Sequence, residues 1–111
     1  MLFISTEDFF RKAAECHLPT REEELSFAAR MRDGDPGGKE ALMWGYLPHV
    51  ASAVRHVKER YRTLELIFRC CTALEKAVDS FDFFQDSETF SHRLSWWMRQ
   101  TVTRYIVDHD G

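Results

Sequence analysis

The sequence predicts an all-α protein, folded as a small bundle of about five helices. Apolar residues recur at spacings of three and four along most of the 111-residue chain, which is the period of a helix with one buried side. No segment alternates apolar and polar residues cleanly, and no Asn-Gly or Asp-Gly turn joins two β-branched runs, so strand signals are weak. Short connections between the helical segments favour one compact domain.

Capping residues place the first two helices. Ser5 supplies a side-chain oxygen that can cap the start of a helix, the main element of an N-terminal unit that spans residues 1–19. Thr20 and Glu23 have the spacing of a capping box, in which the hydroxyl and the carboxylate each accept a backbone N–H. The second helix therefore opens a unit that spans residues 20–45.

Two prolines shape the third helical segment. Asp35 followed by Pro36 starts it, because proline at the first helical position has no N–H to lose. Pro48 lies inside the same segment and predicts a kink or a break near Gly45 to Pro48. Thr63 is expected to cap the fourth helix. The core-facing stripe of that helix consists of Ile67, Cys71, Leu74, Val78 and Phe81.

The last helix follows an acidic loop. Residues 82–88 are polar apart from two phenylalanines and separate the fourth helix from the fifth. Ser87 or Ser91 is expected to cap the fifth helix, which runs to the end of a unit that spans residues 46–107. Residues 108–111 are predicted to form a soft tail. One core is expected to contain Ile67, Leu74, Val78, Leu94, Met98 and Val102.

Composition narrows the class of protein. The chain is 44% hydrophobic and 30% charged, and no apolar run approaches the roughly 18 to 20 residues that span a bilayer. We therefore expect a soluble, cytoplasmic protein. Cys16, Cys70 and Cys71 have no CxxC spacing, so we expect reduced thiols, with neither a disulfide framework nor a metal site. No nucleophile motif, phosphate loop or cofactor pocket is recognisable, and neither an enzyme nor a cofactor is expected.

One side of the last helix combines an aromatic residue with cations. On a helical wheel, Trp96 lies almost opposite the apolar arc. The residues on its side are Arg93, Gln100, Thr103 and Arg104. Bases stack on aromatic rings, Arg meets phosphates and Gln reads base edges, so this pattern is typical of a nucleic-acid-binding face. Periodicity alone leaves the alternative equally open, namely that one tryptophan packs on a neighbouring helix and the arginines are merely solvated.

Four segments of the chain occur in an order that a known family shares. They are TREEELSFAARMRDGD from Thr20 to Asp35, YLPHVASAVRH from Tyr46 to His56, KAVDSFD from Lys76 to Asp82, and SWWMRQTVTRYI from Ser95 to Ile106. The first resembles region 1.2 of the sigma-70 family of bacterial RNA polymerase sigma factors, and the second resembles region 2.1. The third resembles the family's alanine-valine segment, and the last resembles the end of region 2. The resemblance implies an all-helical, non-enzymatic domain of transcription initiation.

The resemblance implies DNA-binding roles for the last helix. In the family, this helix captures the non-template strand of the −10 promoter element as it melts, and aromatics stack against unpaired bases. Trp96 and Trp97 match the aromatic pair. Gln100 and Thr103 match positions that contact the upstream edge of the −10 element.

Cations complete the implied DNA-binding set. Arg99 and Arg104 match basic positions near the DNA backbone. Arg93 stands where the family usually has a tyrosine that holds the flipped adenine, and the phenylalanine expected near Glu88 is also absent. Base capture is therefore expected to be weaker or differently specified, although an arginine plane stacks on bases.

The resemblance also implies a docking helix. Family members bind a coiled coil of the polymerase β′ subunit through a helix that reads roughly Asp-Leu-Ile-Gln-Glu-Gly. The implied docking residues are Glu65, Leu66, Phe68 and Arg69. We expect Leu66 and Phe68 to form an apolar patch on the exposed side of the fourth helix. Phe68 and Arg69 replace the family's polar contact pair, and Arg69 reverses a charge, which is costly at an interface unless the partner has changed too.

Two hypotheses from different classes follow. In the first, the chain is a sigma factor domain that docks on core RNA polymerase and recognises and melts a −10-like element. Its expected partners are the polymerase core, promoter DNA and an anti-sigma factor. In the second, it is a divergent sigma-like interaction module that binds a regulator or a non-standard polymerase without promoter melting, which Phe68 and Arg69 favour.

Overall fold

The computed structural model describes residues 1–110, which form α-helices and one short 3₁₀ helix and contain no strand. The helices are α1 (Thr6–Ala14), α2 (Arg21–Arg32), α3 (Pro36–Gly45), α4 (Leu47–Arg55), the 3₁₀ helix Glu59–Tyr61, α5 (Leu64–Ser80) and α6 (Phe90–Asp110). The all-α bundle predicted from the sequence is confirmed. The predicted third helix is divided into α3 and α4, as the proline at position 48 indicated.

Local capping explains where most helices begin. The Ser5 hydroxyl accepts the N–H of Asp8 at 3.0 Å. The capping box of α2 is complete, because Thr20 accepts the N–H of Glu23 at 3.1 Å while the Glu23 carboxylate accepts the N–H of Thr20 at 2.9 Å. Thr63 caps α5 as predicted. Each of these side chains satisfies a backbone donor that has no partner inside the helix.

The start of α6 differs from the prediction. Thr89, rather than Ser87 or Ser91, accepts the N–H of His92 at 3.1 Å. Phe90 is 1% exposed and packs against Tyr46, Phe81 and Phe83 at ring-centroid distances of 5.3 Å or less. This tertiary packing fixes Phe90 as the first helical residue, so the residue before it becomes the cap.

The end of α6 also differs. The helix continues to Asp110, so the predicted tail of residues 108–111 is helical as far as Asp110, and Gly111 lies outside the described residues. Arg69 lies 3.6 Å from Asp108 and Arg60 lies 3.5 Å from Asp110. These ion pairs attach the last turn of α6 to the body of the bundle, which a pattern within one helix does not reveal.

α5 is the central helix, in contact with α1, α3, α4 and α6. The predicted core is present, since Ile67, Leu74, Val78 and Leu94 have no exposed surface and Met98 is 3% exposed. Val102 is partly buried against this core. Burial of these side chains is the main favourable contribution to stability of the bundle.

α2 and α3 pack closely on each other at Gly38. A Cβ atom there would lie 2.4 Å from the carbonyl oxygen of Phe27 and 2.6 Å from the backbone nitrogen of Met31. Only glycine allows this approach of the two backbones. Gly34, which has φ of +88°, forms the turn between the helices.

The cysteines carry no reactive thiolate. Burial raises the pKa of the Cys70 thiol to about 12 and that of Cys71 to about 11. Both thiols are therefore protonated at neutral pH, and the thiolate is the form that binds metals and attacks substrates. Among residues 1–110 no helix combines the length and the hydropathy needed to cross a membrane.

Candidate nucleic-acid interface and docking face

The outer face of α6 is formed by the residues that point away from the core: Arg93, Trp96, Gln100, Thr103 and Arg104. Trp96 is 54% exposed, which is unusual for so large an aromatic side chain. Gln100, Thr103 and Arg104 are also exposed. A flat aromatic surface therefore lies beside polar and cationic groups on this face.

Trp96 and Trp97 have different environments. Adjacent residues on a helix point about 100° apart, and the two indole rings are perpendicular with centroids 5.8 Å apart. Trp97 is half-buried against the core and lines a groove between α5 and α6 with Phe68 and Lys76. Trp96 is therefore the more exposed of the two rings and Trp97 the more buried.

Arg93 pairs with the carboxylate of Glu88, a residue that the sequence placed in the loop before the last helix. Its Nε donates to Glu88 Oε1 at 2.6 Å, and a second guanidinium nitrogen also pairs with that oxygen. His92 Nδ1 lies 2.7 Å from the other Glu88 oxygen. The hydrogen bond from Arg93, followed by that from His92, lowers the pKa of Glu88. The charge of Arg93 is thus largely neutralised at the start of α6.

Arg99 and Arg104 are the free cations of α6. Within residues 1–110, no carboxylate oxygen lies within 4.0 Å of either guanidinium. Between Thr89 and Val107 the chain has three arginines and no acidic residue. The two unpaired arginines therefore give this length of α6 a positive potential, although the whole chain has a net charge of −3.

The predicted DNA-binding residues lie on more than one surface. Trp96, Gln100 and Arg104 share the outer face, with Arg93 beside them. Arg99 lies toward α4 and lines a groove there together with Thr103, which stands at the edge of the outer face, whereas Trp97 lies toward α5. A single strand of DNA that contacts all seven residues would have to cross the helix rather than run along it.

His49 connects α4 to α6 and was not recognised from the sequence. Its Nε2 lies 3.1 Å from the Ser95 hydroxyl, which itself donates to the Ser91 carbonyl at 2.9 Å. Since that hydroxyl gives its one proton to the Ser91 carbonyl, Nε2 is the donor to Ser95. Burial lowers the pKa of His49.

The outer face of α5 is the candidate docking surface, formed by Glu65, Phe68, Arg69, Thr72 and Lys76. Leu66 does not belong to it, because this side chain has no exposed surface. The expected apolar patch around Leu66 and Phe68 is therefore wrong as regards Leu66. On a helical wheel Leu66 shares the buried arc with Cys70 and Ala73, and this arc covers about 160°. The arc is wide because α5 packs against four other helices.

Phe68 and Arg69 are partly engaged by their own chain. Phe68 is half-buried and stacks on Phe3 with ring centroids 6.4 Å apart. Arg69 lies 3.0 Å from Glu65 and 3.6 Å from Asp108, so it links α5 to the last turn of α6. The reversed charge at position 69 therefore has an internal partner, and Phe68 keeps part of its ring exposed between two grooves.

A further missed feature links α2 to Tyr46, between α3 and α4, and to the loop that precedes α6. Glu24 is buried and accepts a hydrogen bond from the Tyr46 hydroxyl, and Arg21 donates to Glu24 at 2.6 Å and to the Phe83 carbonyl at 2.9 Å. Burial, followed by the bond to Glu24, raises the pKa of Tyr46. Glu24 follows two other glutamates in the sequence, and no local signal distinguishes it from them.

No protein-family model matches the chain. A curated relative does match: the RNA polymerase sigma factor SigA of Clostridium acetobutylicum is 35% identical over 101 residues, which cover 90% of this chain and 26% of SigA. The chain thus spans about a quarter of the length of that relative. Together with the all-helical fold, this similarity over nearly the whole chain supports a domain of the sigma-70 family of RNA polymerase sigma factors.

Proposed function

We propose that this domain acts in transcription initiation by binding the non-template strand of a −10-like promoter element along α6. The observation that carries the proposal is Trp96, which is 54% exposed on a face that also presents Gln100 and the unpaired Arg104. The similarity to SigA, a protein named as an RNA polymerase sigma factor, supports the same role.

The energetics of strand capture favour this use of Trp96. Unstacking a base from a duplex costs a few kcal/mol, and stacking on an aromatic platform returns about 1 to 3 kcal/mol per base. Arg104 and Arg99 add phosphate contacts without first breaking an internal ion pair. The protein makes and breaks no covalent bond in such a step, so no catalytic residue is required.

Arg93 modifies this mechanism relative to the family pattern. An arginine at the position of the usual tyrosine lacks a phenol ring, and here its guanidinium is committed to Glu88. We infer that Arg93 closes one side of the base-binding surface through its planar group, while Trp96 supplies the stacking ring. Selectivity for the flipped base is then weaker than an aromatic pocket provides.

Docking on core RNA polymerase is assigned to the outer face of α5. The exposed part of Phe68 lies between two grooves, and Thr72 lines both. Lys76, which forms no ion pair within residues 1–110, adds a cation at the side nearer α6. A helical surface of the β′ coiled coil could bury Phe68 as an apolar anchor in such a setting.

A second candidate function is a sigma-like interaction module that binds a regulator without melting a promoter. The observation in its favour is that Glu65 and Arg69 pair with each other and with the end of α6. Both side chains already form internal ion pairs, so a partner would have to break those pairs before it could make ordinary polar docking contacts with them.

Two measurements test the proposals separately. A fluorescently labelled single-stranded −10-like oligonucleotide is titrated with the domain, alongside a scrambled strand and the corresponding duplex. We expect the −10-like strand to bind most tightly, and equal affinity for all three would contradict promoter recognition. A pull-down with purified core polymerase is expected to retain the domain, whereas its absence from the bound fraction would favour the interaction module.

A further inference from the structure

A groove of about 580 Å³ lies between α4 and α6, on the opposite side of α6 from the candidate docking surface. Aliphatic side chains form its floor: Ala53, Val57, Met98, Val102 and Ile106. Val57 and Met98 are buried, and the other three are half-buried. An apolar floor of this size in a small domain is large enough to bury several side chains of a bound segment.

The rim of the groove is cationic. Lys58 and Arg99 are exposed there and form no ion pair within residues 1–110. Asp110 is the one carboxylate among the groove residues that the structure describes, and it is occupied by Arg60 at 3.5 Å and by the Tyr61 hydroxyl. The rim is therefore positively charged although the chain as a whole has a net charge of −3.

We propose that the groove between α4 and α6 binds an acidic amphipathic segment of a partner protein. The apolar floor would take the hydrophobic side chains of the segment, and Lys58 and Arg99 would pair with its carboxylates. Charge complementarity of this kind selects partners and speeds their encounter.

The lining of the groove favours a polypeptide over a nucleic acid. Single-stranded nucleic acids need aromatic platforms on which bases stack, and the floor consists of aliphatic side chains. Tyr61 is the aromatic residue at the rim, but it is buried and its ring is covered by Arg60 at 4.8 Å. Among the described groove residues, a base would find no free ring other than the imidazoles of His49 and His56.

An occupant of this groove would interfere with DNA binding. Arg99 and Thr103 line the groove and also belong to the predicted DNA-binding set. A bound acidic segment would cover both and neutralise the arginine. This consequence rests on the proposed function of α6, whereas binding of the segment to the groove does not depend on it.

The test uses the full chain and a panel of 16-residue helical peptides with leucines along one face and glutamates beside them. Binding is followed by fluorescence anisotropy, and amide chemical shifts locate the site. We expect saturable binding, with shift changes at Ala53, Lys58 and Ile106. Peptides with lysine in place of glutamate, and scrambled peptides of the same composition, are expected to bind at least about fivefold more weakly.

Variants outside the predicted DNA-binding set keep this test separate from promoter binding. Ala53→Glu places a carboxylate at the groove floor, and Lys58→Glu reverses a rim charge that has no internal partner. Both substitutions are expected to weaken binding of the glutamate peptide at least about fivefold, and Lys58→Glu is expected to strengthen binding of the lysine peptide. Ser26→Glu, on the exposed side of α2, is the matched control and should leave the affinity for both peptides unchanged. Thermal melts check that each variant is folded.

Three outcomes would overturn the proposal. One is that no peptide of the panel shifts the groove amides. Another is that binding is indifferent to the charge of residue 58. The third is that the peptides do not bind, whereas a single-stranded oligonucleotide binds and Ala53→Glu weakens its binding. That result would make the groove an extension of the DNA site. Loss of oligonucleotide binding to α6 with peptide binding intact would contradict only the proposed function.

Discussion

The guanidinium of Arg93 forms an ion pair with Glu88 across the start of α6. Glu88 also lies 2.7 Å from His92 Nδ1, so one carboxylate restrains two side chains next to the exposed Trp96. The guanidinium of Arg93 is thereby held in a fixed position. The ion pair therefore lowers the positive electrostatic potential of the outer face of α6.

Removing the charge of Glu88 should therefore strengthen DNA binding. Glu88→Gln is expected to raise the affinity for a single-stranded −10-like oligonucleotide a few-fold and to make the salt dependence steeper, because Arg93 becomes free to contact a phosphate. Glu22→Gln removes an exposed carboxylate far along the chain and is the control. Anisotropy titrations at two salt concentrations measure the effect. An unchanged salt slope would mean that Arg93 does not reach the DNA.

The outer face of α5 should control polymerase binding. Phe68→Asp is expected to abolish retention by core polymerase and also to lower the melting temperature, since Phe68 is half-buried against Phe3. Thr72→Asp on the same face is exposed, so it should weaken retention while leaving the melting temperature nearly unchanged. If Thr72→Asp binds as well as the unchanged chain, this face is not the docking surface.

The buried pair of Glu24 and Tyr46 should contribute to stability. Tyr46→Phe removes the donor to a buried carboxylate and is expected to cost about 1 to 3 kcal/mol of unfolding free energy. Urea denaturation of Tyr46→Phe, Glu24→Gln and the double variant measures the coupling between the two residues. Strictly additive losses would indicate that the hydrogen bond contributes nothing of its own.

His49 should make the domain less stable in mild acid. Burial lowers its pKa in the folded chain, so the unfolded chain binds a proton first as the pH falls below about 6.5. Stability is therefore retained at neutral pH and lost as the pH falls from that value, with a slope no steeper than about 1.4 kcal/mol per pH unit for one proton. His49→Gln should flatten the dependence between about pH 6.5 and 5. If the unchanged chain and His49→Gln lose stability with the same slope against pH, groups other than His49 cause the loss.

Much of the fold could be predicted because its signals are local. Ser5, Thr20 with Glu23, and Thr63 cap their helices through side chains a few residues away from the donors they satisfy. The break before Pro48 follows from the chemistry of proline in the same way. Helical periodicity also placed Trp96 on the exposed side of α6, since that side depends only on position along one helix.

The features that could not be predicted depend on distant contacts. Leu66 is buried because α5 packs against four other helices, which its own periodicity does not show. Thr89 caps α6 because Phe90 is fixed by aromatic residues from two other parts of the chain. Glu24 has the same local sequence signal as its exposed acidic neighbour Glu22, and only Tyr46 distinguishes them.

The most direct test of the DNA-binding role compares Trp96→Ala with Trp97→Ala. Each variant is titrated with a fluorescent single-stranded −10-like oligonucleotide and is melted in parallel. Trp96→Ala is expected to lose about 1 to 3 kcal/mol of binding free energy with little change in melting temperature, because Trp96 is exposed. Trp97→Ala should lower the melting temperature more, since Trp97 packs against the core. If Trp96→Ala instead unfolds the domain and leaves the affinity per folded molecule unchanged, the outer face of α6 does not bind DNA.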